Sequence, residues 1–290
     1  MSELILRYVI ITMANLYHFF ERTNISATAY IQQLILVSFE LQRNMSPRSL
    51  DFKCALVTGG AGGIGRAISE YFISQGKKVI IVGRTESKLQ STSKEIGADY
   101  YVLDTGDIKS IPGFIQKITK EHPELDCLVN NAGVQRPLNV NDMSAEEFLE
   151  KGDNEININI RGPMHLAVGF LPHFKSKKSA VIMNVSSVLG LIPFSIINPV
   201  YNGTKAFVHF NTMNLRTQLE QAGSSIKVIE IAPPSVGTDL HREREDPDDN
   251  KKHKNANALS VEEFMDELKK GWQEDRDCIG AGMSQKVVDR

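Results

Sequence analysis

Cys54-Ala-Leu-Val-Thr-Gly-Gly-Ala-Gly-Gly-Ile-Gly65 joins a short apolar run to a glycine-rich turn, and an amphipathic stretch from Ile64 to Ser74 follows, stopped by Gly76. An unbroken apolar run of this length suits a strand covered on both faces, as in a parallel sheet. A strand that ends in glycines and opens a helix is the context in which such a turn cradles the pyrophosphate of a dinucleotide. Gly59 would permit the tight turn, Gly63 the approach of backbone to a phosphate, and Gly65 the close packing of helix on strand. The free N–H groups of the first helical turn would face the phosphates. The spacing is Gly-x-x-x-Gly-x-Gly, not the commoner Gly-x-Gly-x-x-Gly, and the Gly-Lys-Ser/Thr ending of a triphosphate loop is missing. A glycine turn alone is a weak signal. The rest of the chain decides its weight.

Outward from this turn, strands and helices alternate. Lys78-Val-Ile-Ile-Val82 reads as a second buried strand, followed by Arg84 and a short polar helix to about Ile96. Tyr100–Leu103 is the third strand, residues 108–120 a helix, and Leu125–Val129 the fourth strand. A long helix over about 154–175, a strand Ala180–Val185, a helix carrying Tyr201 and a strand Ile226–Ile231 complete the rhythm. Ser260-Val-Glu-Glu263 has the form of a capping box opening a helix to about Trp272. The alternation predicts an α/β fold: a Rossmann-like, doubly wound parallel sheet in three α/β/α layers with right-handed crossovers. It occupies one domain, residues 45–290, after an N-terminal extension, residues 1–44.

Composition sets outer limits. The chain has 290 residues, 41% hydrophobic and 23% charged, with a formal net charge of -2, which is ordinary for a globular protein with a sizeable core. Near-neutral charge gives no reason to expect nucleic acid or an anionic membrane as partner. Cys54, Cys127 and Cys278 stand far apart and odd in number, so buried free thiols are expected, with no disulfide framework and no metal site. That usage fits a reducing, cytoplasmic compartment. In the extension, residues 4–20 are apolar but broken by Arg7, Thr12, Asn15 and His18, short of the about 20 apolar residues of a membrane span. Glu3 and the lack of a basic cluster argue against a secretory signal. Membrane association is not expected, and a protein starting at Met45 should fold and work.

Tyr201-Asn-Gly-Thr-Lys205 places a phenol and an ammonium on one helix face, fourteen residues beyond Ser187. A phenol titrates at about 10 in water, and a neighbouring cation would draw it down by favouring the phenolate. Taken with the glycine turn, the pair supplies both halves of a redox site, a phosphate cradle and a proton donor. The end of the second strand speaks to the dinucleotide. A carboxylate there would bond a ribose 2′-hydroxyl, whereas an arginine accommodates a 2′-phosphate. Val82-Gly83-Arg84 offers the arginine, so NADP (NADPH) is expected ahead of NAD.

In these features the chain resembles the short-chain dehydrogenases/reductases. Thr58–Gly65 is similar to the family's Thr-Gly-x-x-x-Gly-x-Gly turn, and Asn130-Asn-Ala-Gly133 to its Asn-Asn-Ala-Gly. Asn159-Ile-Arg-Gly162 resembles the active-site asparagine segment, Ser186-Ser187-Val-Leu-Gly190 the serine segment, and Pro233-Pro-Ser-Val-Gly-Thr238 the cofactor loop. The likeness covers residues 52–240 well, and more loosely the chain is similar to poorly characterised fungal and bacterial oxidoreductases of that family. Two departures stand out. The Ser187–Tyr201 interval is one residue longer than the commonest spacing, and Pro234 stands where glycine is usual, which fixes φ and removes an N–H.

The resemblance implies hydride transfer between a nicotinamide cofactor and a small carbonyl or alcohol substrate. Ser187 would hold the substrate oxygen, Tyr201 act as general acid/base, Lys205 lower the Tyr201 pKa and hold the ribose, and Asn159 anchor a water leading to Lys205. Asn157 competes with Asn159, but only Asn159 has glycine three residues on. The cofactor would be held by Gly59, Ala61, Gly62, Gly63 and Ile64 at the turn, Arg84 after the second strand, and Asp104 and Thr105 after the third. Asn131, Ala132, Gly133, Pro233, Val236 and Thr238 would complete its cradle with Tyr201 and Lys205. Gln135, Ser187, Leu189 and Phe194 are the substrate candidates, with Arg136, Pro234 and Leu240 beside them. Residues 239–254, rich in charge, read as a solvated flap, and His241 and His253 are not expected to bind metal. Helices 154–175 and 201–221 would pair about a two-fold axis into a homodimer or homotetramer. A different class on the same fold is a catalytically silent dinucleotide sensor or scaffold. Such proteins typically lose Tyr or Lys, and this chain keeps both.

Overall fold

The computed structural model describes residues 47–290. The extension, residues 1–44, and its apolar run lie outside the described residues. The strands are β1 (Cys54–Thr58), β2 (Lys78–Gly83), β3 (Asp99–Val102), β4 (Leu125–Asn130), β5 (Ala180–Val185), β6 (Ile226–Ile231) and β7 (Cys278–Ile279). They form one seven-stranded sheet in the order β3-β2-β1-β4-β5-β6-β7, and every pairing is parallel. The helices are α1 (Gly63–Ser74), α2 (Glu86–Ile96), α3 (Ile111–Glu121), α4 (Ala145–Ile156), α5 (Gly162–Lys175), α6 (Pro199–Gln221), α7 (Val261–Gln273) and α8 (Met283–Val288).

The unbroken apolar strands are explained by a core on each side of the sheet. Ala55 and Val57 of β1 face one way, towards Ile68 and Phe72 of α1 and Phe264, Leu268 and Trp272 of α7. Cys54 and Leu56 face the other way, towards Phe114 and Ile118 of α3 and Leu166, Phe170 and Phe174 of α5. A strand buried on both faces has no place for a polar alternate residue. This is the Rossmann-like three-layer arrangement that the alternation implied. The order reverses beside β1, whose neighbours are β2 and β4, so a crevice opens at the carboxyl ends of β1 and β4.

Three features differ from the sequence reading. The helix expected over 154–175 begins earlier, at Ala145, where Ser144 caps it by accepting from the Glu147 N–H. It runs through a wide π-helical turn, Asn157–Arg161, into α5. Pro163 has no N–H to return to the carbonyl four residues earlier, which favours loosening at this point. The second difference is β7, a two-residue strand paired to the end of β6, which no alternation of residues announced.

The third concerns the surface of α5 and α6. In the two helices expected to pair, Ile158, Leu166 and Phe170 are core residues, and Leu215 packs against the core. The apolar groups these helices do expose are Val168, Phe207, Phe210 and Met213, with Phe210 62% exposed. The cysteines are free thiols, and burial pushes Cys54 up to about 12. Among the described residues no helix is long and apolar enough to cross a membrane, and no cluster of His, Cys, Asp and Glu could hold a metal.

Candidate active site

The crevice is a cavity of about 530 Å³. One part of its wall is the glycine turn. Gly59 has φ +66° and Gly63 φ +51°, left-handed values that an L side chain adopts with strain. Gly62, in extended conformation, precedes the first turn of α1, so N–H groups meet the cavity with no side chain between. That cradle fits a phosphate. The turn is tied to β4 by Thr58. Its buried hydroxyl donates to the Val129 carbonyl and accepts from the N–H groups of Asn131 and Ala132. Asn131 returns a bond from Nδ2 to the Thr58 carbonyl, 2.9 Å. The threonine and asparagine of the two motifs therefore lock the ends of β1 and β4 side by side.

The cavity is also lined by Ala61, Ile64, Arg84, Asp104, Thr105, Asn131, Ala132 and Gly133, and by Pro233, Pro234, Val236, Thr238 and Leu240. Asp104 accepts from the Gly106 N–H, fixing the bend after β3. Gly162 lies so close to the Thr105 carbonyl that a Cβ would stand 2.4 Å from it, which accounts for the glycine of the asparagine segment. Sequence reasoning missed Lys88, on α2, which joins Arg84 at the same wall. Four residues along from Arg84, it was indistinguishable from any surface lysine. At Gly83 a Cβ would make only ordinary contacts, 3.6 Å to Leu89, so the glycine is not imposed by crowding.

Ser187, Tyr201 and Lys205 converge on this cavity. Ser187 follows β5 with extended backbone and accepts from the Leu189 N–H. Tyr201 and Lys205 sit in the first two turns of α6, both 5% exposed. Lys205 Nζ lies 5.5 Å from the centre of the Tyr201 ring and donates to the Val185 carbonyl at 2.8 Å. Burial pushes Tyr201 above its ordinary range, and Glu155 adds to the rise, while Ser187 and Arg244 act against it. The sequence reading gave the lowering to Lys205. In the structure desolvation outweighs every neighbour, and the phenol holds its proton. Burial also draws Lys205 down to about 8.

Asn159 lies within the π-helical turn, 1% exposed and outside the cavity lining. Its Oδ1 accepts from the Val134 N–H and its Nδ2 donates to the Val134 carbonyl and to Thr204 Oγ1. It thus clamps the chain beyond Gly133 to α6. Asn157, its rival in the sequence, is half-buried and accepts from Arg161.

The substrate candidates separate. Ser187, Pro234 and Leu240 line the cavity; Leu189 does not, and Phe194 is 64% exposed on the loop before α6. Gln135 is buried and accepts from Arg244 Nη2, 2.7 Å. The segment 239–254 is held down rather than loosely solvated. Asn250, 2% exposed, donates to the Val236 and Thr238 carbonyls. Arg244 pairs with Asp249 at 2.6 Å, Arg136 pairs with Glu243 at 3.2 Å, and His241 bonds Asp249. A run of alternating charges looks solvated in sequence because pairing of this kind depends on the fold.

Three comparisons bear on this arrangement. The short chain dehydrogenase family profile matches residues 53–249. "Uncharacterized oxidoreductase DltE" of Bacillus subtilis is 36% identical over 76% of this chain and 85% of its own length. "NADP-dependent 3-hydroxy acid dehydrogenase YdfG" of Escherichia coli is 34% identical over 73% of this chain and 85% of its own. Among solved structures, a serine dehydrogenase in complex with NADP+ superposes with TM-score 0.67 at 29% identity, covering 78% of this chain and 93% of that one. A short chain dehydrogenase/reductase from Burkholderia phymatum in complex with NAD superposes with TM-score 0.71 at 21% identity, over 83% of this chain and 93% of that one, and shows the fold.

Proposed function

The chain belongs to the short chain dehydrogenase family, a family of NAD(P)-dependent oxidoreductases, and we propose that it transfers hydride between NADP(H) and a small oxo acid or hydroxy acid. When bound, the nicotinamide supplies or takes up the hydride. The observation that carries the reading is the meeting of Ser187, Tyr201 and Lys205 in the cavity that the glycine turn also lines. The residues fit a dinucleotide: the left-handed glycines and the start of α1 for the pyrophosphate, and Arg84 with Lys88 for a 2′-phosphate.

Tyr201 gives its proton to the substrate oxygen on reduction and recovers it on oxidation. Burial keeps it protonated until that oxygen arrives. Its place in the first turn of α6 favours the phenolate as it forms, since the helix N-terminus is the positive end of the dipole. Ser187 holds the same oxygen by hydrogen bond. Lys205 holds the ribose hydroxyls and steadies the phenolate through its charge. Asn159 positions both by clamping Val134 to α6.

An acidic substrate is supported by Arg242, a cationic residue of the segment 239–254 that lines the cavity. The names of two relatives, a 3-hydroxy acid dehydrogenase and a serine dehydrogenase, support it as well. The test is a panel of small hydroxy acids and oxo acids beside the matching neutral alcohols and ketones, with NADP and NADPH, followed at the nicotinamide absorbance. Turnover of the acids ahead of their neutral counterparts is expected. Turnover of neutral compounds alone would contradict the substrate class, and no turnover across the panel would contradict the enzyme.

A further inference from the structure

Glu155 lies in the last turn of α4, one helical turn before Asn159, and is 0% exposed. No ion pair within the described residues reaches it. Its Oε2 has no hydrogen-bond partner, and its Oε1 lies 3.5 Å from Asn159 Nδ2, a long contact. A buried carboxylate left this open is costly, and an apolar residue of similar size would fill the same space with less penalty. Packing gives no reason for an acid here.

Its electrostatic neighbours come from every element around it. Arg136 faces it with both its backbone N–H and its guanidinium, Lys205 from α6 and Glu243 from the segment over the cavity act on it, and it acts on Tyr201. Burial outweighs the cations and holds the Glu155 carboxyl up to about 7. For Lys205, drawn down by burial, Glu155 is the charge that pulls the other way. Asn159 lies near both: its Nδ2 is 3.5 Å from Glu155 Oε1, and a Cβ placed on Gly133 would stand 3.3 Å from Asn159 Oδ1 and 3.6 Å from Lys205 Nζ. The two polar groups thus border one small volume, which the glycine leaves open.

We propose that Glu155 is a positioning residue of this site, whose buried carboxylate acts across Asn159 to keep the Lys205 ammonium charged. The inference rests on the reading that Lys205 holds the cofactor ribose. Ionised, Glu155 favours the Lys205 ammonium; protonated, it lets the buried amine lose its charge more easily. Lys205 is charged below its pKa, so cofactor affinity falls as pH rises through about 8. Removing the Glu155 charge moves that fall to lower pH.

The test measures NADPH binding by nicotinamide fluorescence in the full chain across pH, without substrate, for wild type, Glu155→Gln, Glu155→Leu and Glu155→Asp. Glu155→Gln and Glu155→Leu are each expected to lower the midpoint of the alkaline loss by about one pH unit. Glu155→Asp, which keeps the charge, should stay near wild type. A structural role alone would lower melting temperature in Gln or Leu without moving the midpoint. An unmoved midpoint in whichever of those two variants folds overturns the proposal. Binding of NADPH by a wild-type protein that turns over no substrate would defeat the proposed activity, while the midpoints would still decide the role of Glu155. Failure to bind either NADPH or NADH would defeat both.

Discussion

Arg84 shows how a single residue sets cofactor choice in this account. It stands at the cavity wall beside Gly83, with Lys88 adding a second cation. A charge-assisted contact to a 2′-phosphate contributes about 1.5–3 kcal/mol, so Arg84→Asp should weaken NADPH binding by roughly tenfold to a hundredfold. NADH binding should hold or improve, because the new carboxylate can meet a 2′-hydroxyl. Paired titrations of both cofactors check this, and equal losses for the two would contradict it. At this scale the sequence showed the Tyr201–Lys205 pair because residues four apart share a helix face. It could not show Glu155. In Leu149-Glu-Lys-Gly-Asp-Asn-Glu155 that acid looks like one more surface charge among several. Only the packing of α4 against α6 and the segment after β4 takes it out of water. Arg244 was hidden in the same way, inside a charge run whose pairing needs the fold. The lowering of the Tyr201 pKa expected from the nearby ammonium is overturned by burial, which spacing does not report.

At the scale of elements, local chemistry fixed α7 well. Ser260 accepts from the Glu263 N–H while the Glu263 carboxylate accepts from the Ser260 N–H, the reciprocal capping box that the residues implied. Ser260→Ala should cost about 1 kcal/mol of unfolding free energy by losing one of these partners. A denaturant midpoint unchanged at equal slope would show that the cap contributes nothing. The strands β1, β4, β5 and β6 were legible because each is buried on both faces. The start of α4 was not, since Gly152, Asp153 and Asn154 in its last turns are weak helix formers. The helix persists there because tertiary packing rather than propensity holds it: its buried residues are Gly152 and Glu155, and Gly152 faces Val200 of α6. The two-residue β7 was invisible for the opposite reason: it is defined by its partner β6 and has no pattern of its own.

For the molecule as a whole, α5 and α6 carry unspent apolar surface, since Val168, Phe207, Phe210 and Met213 stay exposed. Closed two-fold assemblies bury such faces, and a dimer or tetramer through these helices is the expectation. Phe210→Glu should therefore shift the protein towards monomer by light scattering while its circular dichroism stays that of the wild type. A wild-type monomer at micromolar concentration would contradict the expectation. The central claim is chemical: one phenol moves the proton in a cavity that holds the cofactor by other groups. Its most direct test is Tyr201→Phe, assayed for turnover with NADPH and, in parallel, for NADPH binding by fluorescence. The account predicts that turnover is abolished while affinity stays within a few-fold of wild type. Turnover near the wild-type rate in that variant would contradict it.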